Sequence, residues 1–198
     1  MTALPPDRGK QEQLDHALED TFPASDPPAS SVPVATAETD ESKAGPREQC
    51  AVYRVVARER ADAPFSLAQA YRSGRWTSAH DKAVYASLSP AGAVLEYLAH
   101  LEGETPDELV MVVASLPAGC LQSIGRDLPQ DWKERPYRGH VQEIGDRWWA
   151  DEASLALKVP SALSPREYNV LINPRHPDHG RLAVLSLDAV HIDSRLRY

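Results

Sequence analysis

Hydrophobic and polar positions alternate over several short segments after residue 50, and this pattern predicts strands. β-Branched and aromatic residues alternate with other types over Ala51–Ala57, which is typical of a half-buried strand. Short apolar runs predict five further strands, over residues 83–87, 109–115, 155–159, 169–172 and 182–187. Several strands with few helices between them favour a mixed α+β domain.

Two helices are predicted within this region. Ser89 fits the N-cap of the first helix and Pro90 its first helical position, which are the positions that these residue types favour. Apolar residues then recur at helical spacing and predict a buried face, formed by Ala91, Val94, Leu95, Leu98 and Leu101. A second helix is predicted over Asp146–Ala153.

Residues 1–48 differ from the rest of the chain in composition. They hold seven of the 17 prolines, ten acidic side chains against four basic ones, and Phe22 as their only aromatic residue. We predict a mostly disordered acidic extension, in which the i,i+4 spacing of Leu14 and Leu18 is compatible with a short helix over Gln11–Asp20. A solvated tail is favoured over a docking peptide. The folded domain is predicted to occupy residues 49–198.

Composition narrows the functional class. The whole chain has a formal net charge of -8, but residues 49–198 hold 19 acidic and 17 basic side chains, so the basic field of a nucleic-acid-binding protein is not expected. Cys50 and Cys120 lie far apart, which argues against a disulfide framework or a cysteine zinc site. Since no apolar run approaches the roughly 20 residues that span a bilayer, and no signal peptide is evident, we expect a cytoplasmic protein without membrane contact.

Two segments offer candidate chemistry. Arg75 follows Gly74. A glycine lets the backbone approach a ligand closely, and an arginine at that point could bind a phosphate through two N–H groups. Taken alone, Gly-Arg-Trp favours a surface turn with a buried tryptophan. Glu96 lies off the predicted apolar face of the first helix. It fits either a solvent-facing i,i+4 pair with His100 or a carboxylate turned toward a cleft, and periodicity alone favours the pair.

Two polar segments leave further alternatives open. Ser161 follows a proline at the end of a predicted strand, while Asn169 and Asn173 flank another. Such residues satisfy turns and caps or line a polar pocket. Ser161 lacks the Gly-x-Ser-x-Gly context of a hydrolase. The run His176-Pro-Asp-His179 could hold a metal ion, but a polar loop is favoured because Pro177 disfavours a helix and the sequence indicates no further ligand.

The order and spacing of these segments are more specific than any one of them. The first half of the folded region resembles the RES family, named for Arg, Glu and Ser residues, at Tyr53-Arg54, Ser73–Trp76, Ala83–Ser87 and Ala93–Leu101. The second half resembles the same family at Leu128–Trp132, Gly145–Trp148, Val159–Ala162 and Asn169–Pro174. The resemblance covers roughly residues 50–198.

The resemblance implies a fold and an activity. RES proteins are toxins of toxin–antitoxin pairs, and their mixed, split β-sheet is similar to that of ADP-ribosyltransferase toxins. Some degrade NAD by hydrolysis or phosphorolysis, and others modify a protein with ADP-ribose. We therefore expect an NAD-consuming enzyme that needs no metal and has an antitoxin partner. A protein ADP-ribosyltransferase and a non-catalytic binding module are the alternatives.

The resemblance also implies a set of site residues: Arg54, Arg75, Tyr85, Glu96 and Ser161. The two arginines would bind the diphosphate of NAD, and Tyr85 would stack on nicotinamide. Glu96 would stabilise positive charge on the ribose as the glycosidic bond breaks, and Ser161 would orient the ligand. Arg75, Tyr85 and Glu96 are the expected catalytic residues. This chain departs from the family at Thr77, where an asparagine is common.

Overall fold

A computed structural model of the chain describes residues 48–196, except 71–72, 79–82, 102, 104–105, 107 and 126. The predicted helix over residues 11–20 and almost all of the predicted disordered extension lie outside the described residues, and the domain boundary after residue 48 stays a prediction. The described part forms seven strands and two α-helices, in the order β1 Gln49–Ala57, β2 Val84–Ser87, α1 Pro90–Ala99, β3 Leu109–Pro117, β4 Leu121–Ser123, α2 Gly139–Ala150, β5 Ala156–Pro160, β6 Tyr168–Ile172 and β7 Ala183–Val190.

The strands form one mixed sheet that is split near its middle. Its order is β4-β5-β6-β2-β1-β3-β7. β4 and β5 are parallel, and the other neighbours are antiparallel. β1 and β3 pair along nine residues, whereas the register between β1 and β2 rests on Tyr53 opposite Ser87 in the described residues. β1 and β2 therefore diverge from this pair toward Val84, and the predicted mixed, split sheet is confirmed.

The hydrophobic core covers both faces of the sheet, because side chains alternate between the faces along each strand. On one face Val52 and Val56 of β1 pack with Phe65 from the chain that follows β1. On the other face α1 packs through Ala93 beside Val55. Also on this second face, α2 packs through Val141 and Trp148 against strand residues Leu157, Val159 and Leu171. The two helices thus lie over different halves of the same face.

The start of α1 is as predicted, but its predicted buried face is only partly correct. Ser89 is the N-cap and its side chain accepts a hydrogen bond from the Gly92 amide. The buried helical residues are Gly92 and Ala93, while Leu95 is 39% exposed. The helix runs so close to β2 that a Cβ on Gly92 would lie 2.4 Å from the Ser87 hydroxyl. Small residues therefore lie directly against the sheet, while Val94 and Leu98 are half-buried and pack against the cluster that contains Val55 and Ala93.

α2 begins seven residues earlier than predicted and ends at Ala150, with Asp151 as its C-cap. Its buried residues are Val141, Gly145 and Trp148, at the spacing of one helical face.

The predicted strands are all present with small shifts at their ends, and β4 was not predicted. β7 forms the sheet edge and is mostly exposed, with Leu185 at 62%. In the described part of the chain, no helix has both the length and the apolar character needed to cross a membrane.

Candidate active site

A cavity of about 480 Å³ opens where β1 and β2 diverge. This volume lies within the range of small-molecule binding sites. Its wall comes from both central strands, from the cavity-facing side of α1, and from irregular chain around residues 73–76, 133–137 and 160–163. Arg54, Arg75, Tyr85 and Glu96 all line it. Four of the five site residues predicted from the resemblance thus meet in one cavity.

Glu96 lies on the face of α1 that is turned toward the cavity. It also forms the i,i+4 pair with His100, so only the solvent-facing part of that interpretation is wrong. Its side chain is 25% exposed. Its Oε1 accepts hydrogen bonds from Ser161 Oγ at 3.0 Å and from Asn169 Nδ2 at 2.6 Å. Its Oε2 lies 3.7 Å from Nδ1 of His100, whose ring is held by the Glu96 backbone carbonyl at 2.8 Å. Two donors therefore fix Oε1, whereas Oε2 has only the longer contact with His100.

Ser161 is the fifth predicted residue, and it reaches the site through Glu96. It is buried, and its neighbours Pro160 and Ala162 line the cavity. Besides donating to Glu96, its hydroxyl accepts from the backbone amide of Leu163. This amide contact orients the hydroxyl proton toward the carboxylate. The geometry is that of a serine that positions a carboxylate.

Asn169 lines the cavity and was not among the predicted site residues. It is 7% exposed, and its Oδ1 is buried with no hydrogen-bond partner among the described residues. It lies on β6 opposite Ser87 of β2, which brings it under α1. The sequence predicted Asn169 at the start of a strand. Its partner Glu96 is 73 residues away, so no local sequence pattern indicates this contact.

Arg75 is held at the cavity wall by the chain that precedes α2. Its Nη1 donates to the backbone carbonyls of Trp132 at 2.8 Å and Glu134 at 3.1 Å, and its guanidinium lies 5.1 Å from the centre of the Tyr137 ring. Burial lowers the pKa of Arg75 from its ordinary value, although an arginine remains charged at any physiological pH. The site therefore contains a fixed cation on the wall.

Tyr85 supports the segment that carries Arg75. Its hydroxyl lies 3.2 Å from Thr77 Oγ1 and 3.4 Å from the backbone amide of Trp76. Gly74 is required at its position, because a Cβ there would lie 2.4 Å from the Tyr85 hydroxyl. Burial raises the pKa of Tyr85 to about 12, so the hydroxyl stays protonated at neutral pH. Thr77, where the family commonly has asparagine, is fully buried and keeps a polar contact with this hydroxyl.

α2 holds the same segment from the other side. Gln142 Nε2 donates to the carbonyls of Gly74 at 2.8 Å and Thr77 at 3.2 Å, and Asp146 Oδ1 accepts from the Ser78 amide at 2.8 Å. A Cβ on Gly145 would lie 2.0 Å from the carbonyl oxygen of Trp76. The two motifs at residues 73–76 and 145–148 are therefore in direct contact, and α2 positions Arg75.

Trp76 is a core residue, 2% exposed, and stacks on Trp132 with ring centroids 5.4 Å apart.

Arg54 lines the cavity and is also buried. Its Nη1 donates to the Pro64 carbonyl at 2.7 Å and its Nη2 to the Gln69 carbonyl at 3.0 Å. Arg54 thus ties the chain after β1 to the cavity, and its contact with a phosphate stays a prediction.

The segment His176-Pro-Asp-His179 forms a capped turn. His176 Nδ1 accepts from the Asp178 amide at 3.0 Å, and His179 Nε2 lies 3.1 Å from the Phe65 carbonyl. The two imidazoles have different partners and therefore do not converge on one point. Across the residues that the structure describes, no group of three or more His, Cys, Asp or Glu side chains is arranged to hold a metal ion.

The fold and the sequence together define the class of this protein. The chain belongs to the RES domain family, whose family model matches residues 51–194. This match confirms the resemblance on which the site residues were predicted.

Proteins similar to this chain include toxins. Toxin Res of Pseudomonas putida is 37% identical over 127 residues, which cover 63% of this chain and 86% of that protein. The Prs ADP-ribosylating toxin of Sphingobium sp. (strain YBL2) is 36% identical over 110 residues, which cover 53% of this chain and 68% of that protein. The crystal structure of the M. tuberculosis MbcT–MbcA toxin–antitoxin complex contains a chain of the same fold, with a TM-score of 0.58 and 14% identity over 73% of this chain and 85% of that chain.

Proposed function

We propose that this chain is an NAD-consuming RES toxin that breaks the bond between nicotinamide and ribose. The observation that carries this proposal is Glu96, a carboxylate held by Ser161 and Asn169 at the wall of a cavity that also contains Arg75. A negative charge fixed beside a cavity of about 480 Å³ suits a reaction in which positive charge develops on a sugar.

The reaction balances without an added acid. The bond between ribose C1 and the pyridinium nitrogen breaks, its electron pair goes to that nitrogen, and nicotinamide leaves as a neutral molecule. Positive charge develops on the ribose, and Glu96 Oε2 stabilises it. Water then bonds to C1 and loses a proton to solvent, giving ADP-ribose, or phosphate bonds to C1, giving ADP-ribose phosphate.

The remaining residues bind and position the substrate. Arg75 offers charge to the diphosphate, and the ring of Tyr85 contacts nicotinamide. Ser161 and Asn169 act through Glu96, because both donate to its Oε1. Arg54 keeps the cavity floor in place through its two backbone carbonyl contacts and adds positive charge there.

Protein ADP-ribosylation is the second candidate, favoured by the similarity to the Prs ADP-ribosylating toxin. The two activities share the first bond cleavage and differ in the acceptor. We prefer degradation because water or phosphate needs no docked protein acceptor. A non-catalytic binding module is the third candidate.

An antitoxin partner and a cytoplasmic site of action complete the proposal. The similarity to a toxin chain of a toxin–antitoxin complex supports a partner of that kind. An enzyme that drains NAD from its own cell requires restraint, which such a partner would supply.

The test is nicotinamide release from NAD by the purified chain, with and without phosphate. The parent releases nicotinamide, and Arg75→Ala and Glu96→Ala release far less. Stimulation by phosphate identifies phosphorolysis, and its absence identifies hydrolysis. If well-folded parent protein leaves NAD intact, labelled NAD in cell lysate distinguishes a protein acceptor from a non-catalytic module.

A further inference from the structure

The part of the cavity wall formed by residues 132–138, here called the basic wall, is a feature that the proposed reaction leaves unexplained. Lys133 and Arg135 both line the cavity, beside Arg75. Among the lining residues that the structure describes, Glu96 is the only acidic one. The chain as a whole has a formal net charge of -8, so this excess of cations is local.

The acidic neighbours of the basic wall are engaged elsewhere. Glu134 lies between the two cations in sequence, but its carboxylate is paired with Arg138. Asp131 pairs with His140 at 2.9 Å and with Arg138 at 3.7 Å. Within the described residues, neither Lys133 nor Arg135 forms an ion pair with a carboxylate. Their charge is therefore available to an anion in the cavity.

Aromatic rings hold these cations in position. The Arg135 guanidinium lies 5.4 Å from the centre of the Tyr137 ring and donates from Nη2 to its hydroxyl at 3.3 Å. Arg75 lies over the same ring at 5.1 Å, and the charge of Arg135 helps to lower the pKa of Arg75. Lys133 Nζ lies 5.2 Å from the centre of the Trp132 ring. The two guanidinium groups over the Tyr137 ring repel each other, and an anion beside them would relieve the repulsion.

We propose that Lys133 and Arg135, together with Arg75, form an anion subsite that binds the diphosphate of the dinucleotide. This assignment rests on the proposed function and adds two residues of the basic wall to it. The subsite holds the diphosphate that joins the two riboses, while Glu96 acts at the ribose bonded to nicotinamide. Because Lys133 and Arg135 are exposed, their contribution falls as salt rises.

The test compares the parent with the double variant Lys133→Gln/Arg135→Gln. A matched control is Arg147→Gln/Arg195→Gln, which changes the net charge equally at exposed arginines outside the cavity lining. Titration calorimetry measures binding of ADP-ribose at low and high salt. Nicotinamide release from NAD, with inorganic phosphate titrated, gives KM and kcat. Thermal unfolding establishes that all three proteins are folded.

We expect the double variant to bind ADP-ribose about tenfold more weakly at low salt, with a smaller salt dependence and a raised KM for NAD. The control behaves like the parent. Unchanged affinity for ADP-ribose overturns the proposal. So does loss of phosphate stimulation alone, with an unchanged KM for NAD, because the subsite would then bind the phosphate acceptor. If the parent leaves NAD intact, the proposed reaction fails, and ADP-ribose binding still decides whether the subsite exists.

Discussion

Asn169 on β6 donates a 2.6 Å hydrogen bond to Oε1 of Glu96 on α1. Ser161 Oγ donates to the same oxygen at 3.0 Å. Asn169 belongs to β6 and Ser161 follows β5, so both donors come from the side of the split that holds β2, β6 and β5. The catalytic geometry thus depends on two side chains that the proposed reaction does not transform.

Replacing Asn169 by alanine is expected to lower kcat with little change in KM. A hydrogen bond to a charged group contributes about 1.5–3 kcal/mol, which corresponds to roughly ten- to hundredfold in rate. Steady-state kinetics of nicotinamide release measures the effect. Asn173→Ala is the control, because Asn173 is also buried but lies outside the cavity lining. A similar kcat loss in both variants would mean that the effect is a general loss of packing.

Gly145→Ala tests the contact between α2 and the segment that carries Arg75. The added methyl would lie 2.0 Å from the Trp76 carbonyl, and overpacking of this kind costs about 1–3 kcal/mol. We expect a lower free energy of unfolding in urea and reduced activity. Gly139→Ala on the same helix has nothing within 4 Å of its added methyl and is expected to be neutral or slightly stabilising. Equal unfolding curves for the two variants would contradict the close contact.

Stability at high pH depends on Tyr85. Burial raises the pKa of this residue to about 12 in the folded chain, whereas an unfolded tyrosine titrates near 10. Between these values the unfolded state binds fewer protons than the folded state, so the free energy of unfolding decreases as pH rises. This contribution to the free energy of unfolding is fully present below about pH 10. About 2 kcal/mol of it is lost by pH 12.

Urea unfolding of the parent and of Tyr85→Phe from pH 8 to 12 measures this contribution. We expect a steeper decline for the parent, since phenylalanine has no proton to lose. Because both proteins share the other tyrosines, the difference isolates Tyr85. Parallel declines would show that the Tyr85 hydroxyl titrates as an exposed group.

The parts of the fold that local signals determine were predictable from the sequence. Ser89 and Pro90 mark the start of α1 because a capping hydroxyl and a fixed φ act within one helical turn. β1 was visible through its alternation of residue types, and β3 through an apolar run that is buried on both faces. The buried face of α1 was only partly predicted, since close approach to β2 places Gly92 and Ala93 against the sheet and leaves Ala91 and Leu95 exposed.

The site was predictable only through the family resemblance. Glu96 alone resembles an ordinary surface carboxylate, and its partners Ser161 and Asn169 are 65 and 73 residues away. Lys133 and Arg135 lie in irregular chain, where no periodicity indicates which side chains face a cavity. The start of α2 was missed because its N-cap, Arg138, makes no side-chain capping hydrogen bond.

The central claim is that the Glu96 carboxylate stabilises charge on the ribose while nicotinamide leaves. The most direct measurement is kcat for nicotinamide release by Glu96→Gln, which keeps the shape and an acceptor for Ser161 and Asn169 but removes the charge. Glu143→Gln on α2, an exposed carboxylate outside this cavity, is the control. We predict a loss of about a hundred- to thousandfold in kcat, with ADP-ribose affinity near that of the parent. A Glu96→Gln variant that consumes NAD at the parent rate would contradict the account.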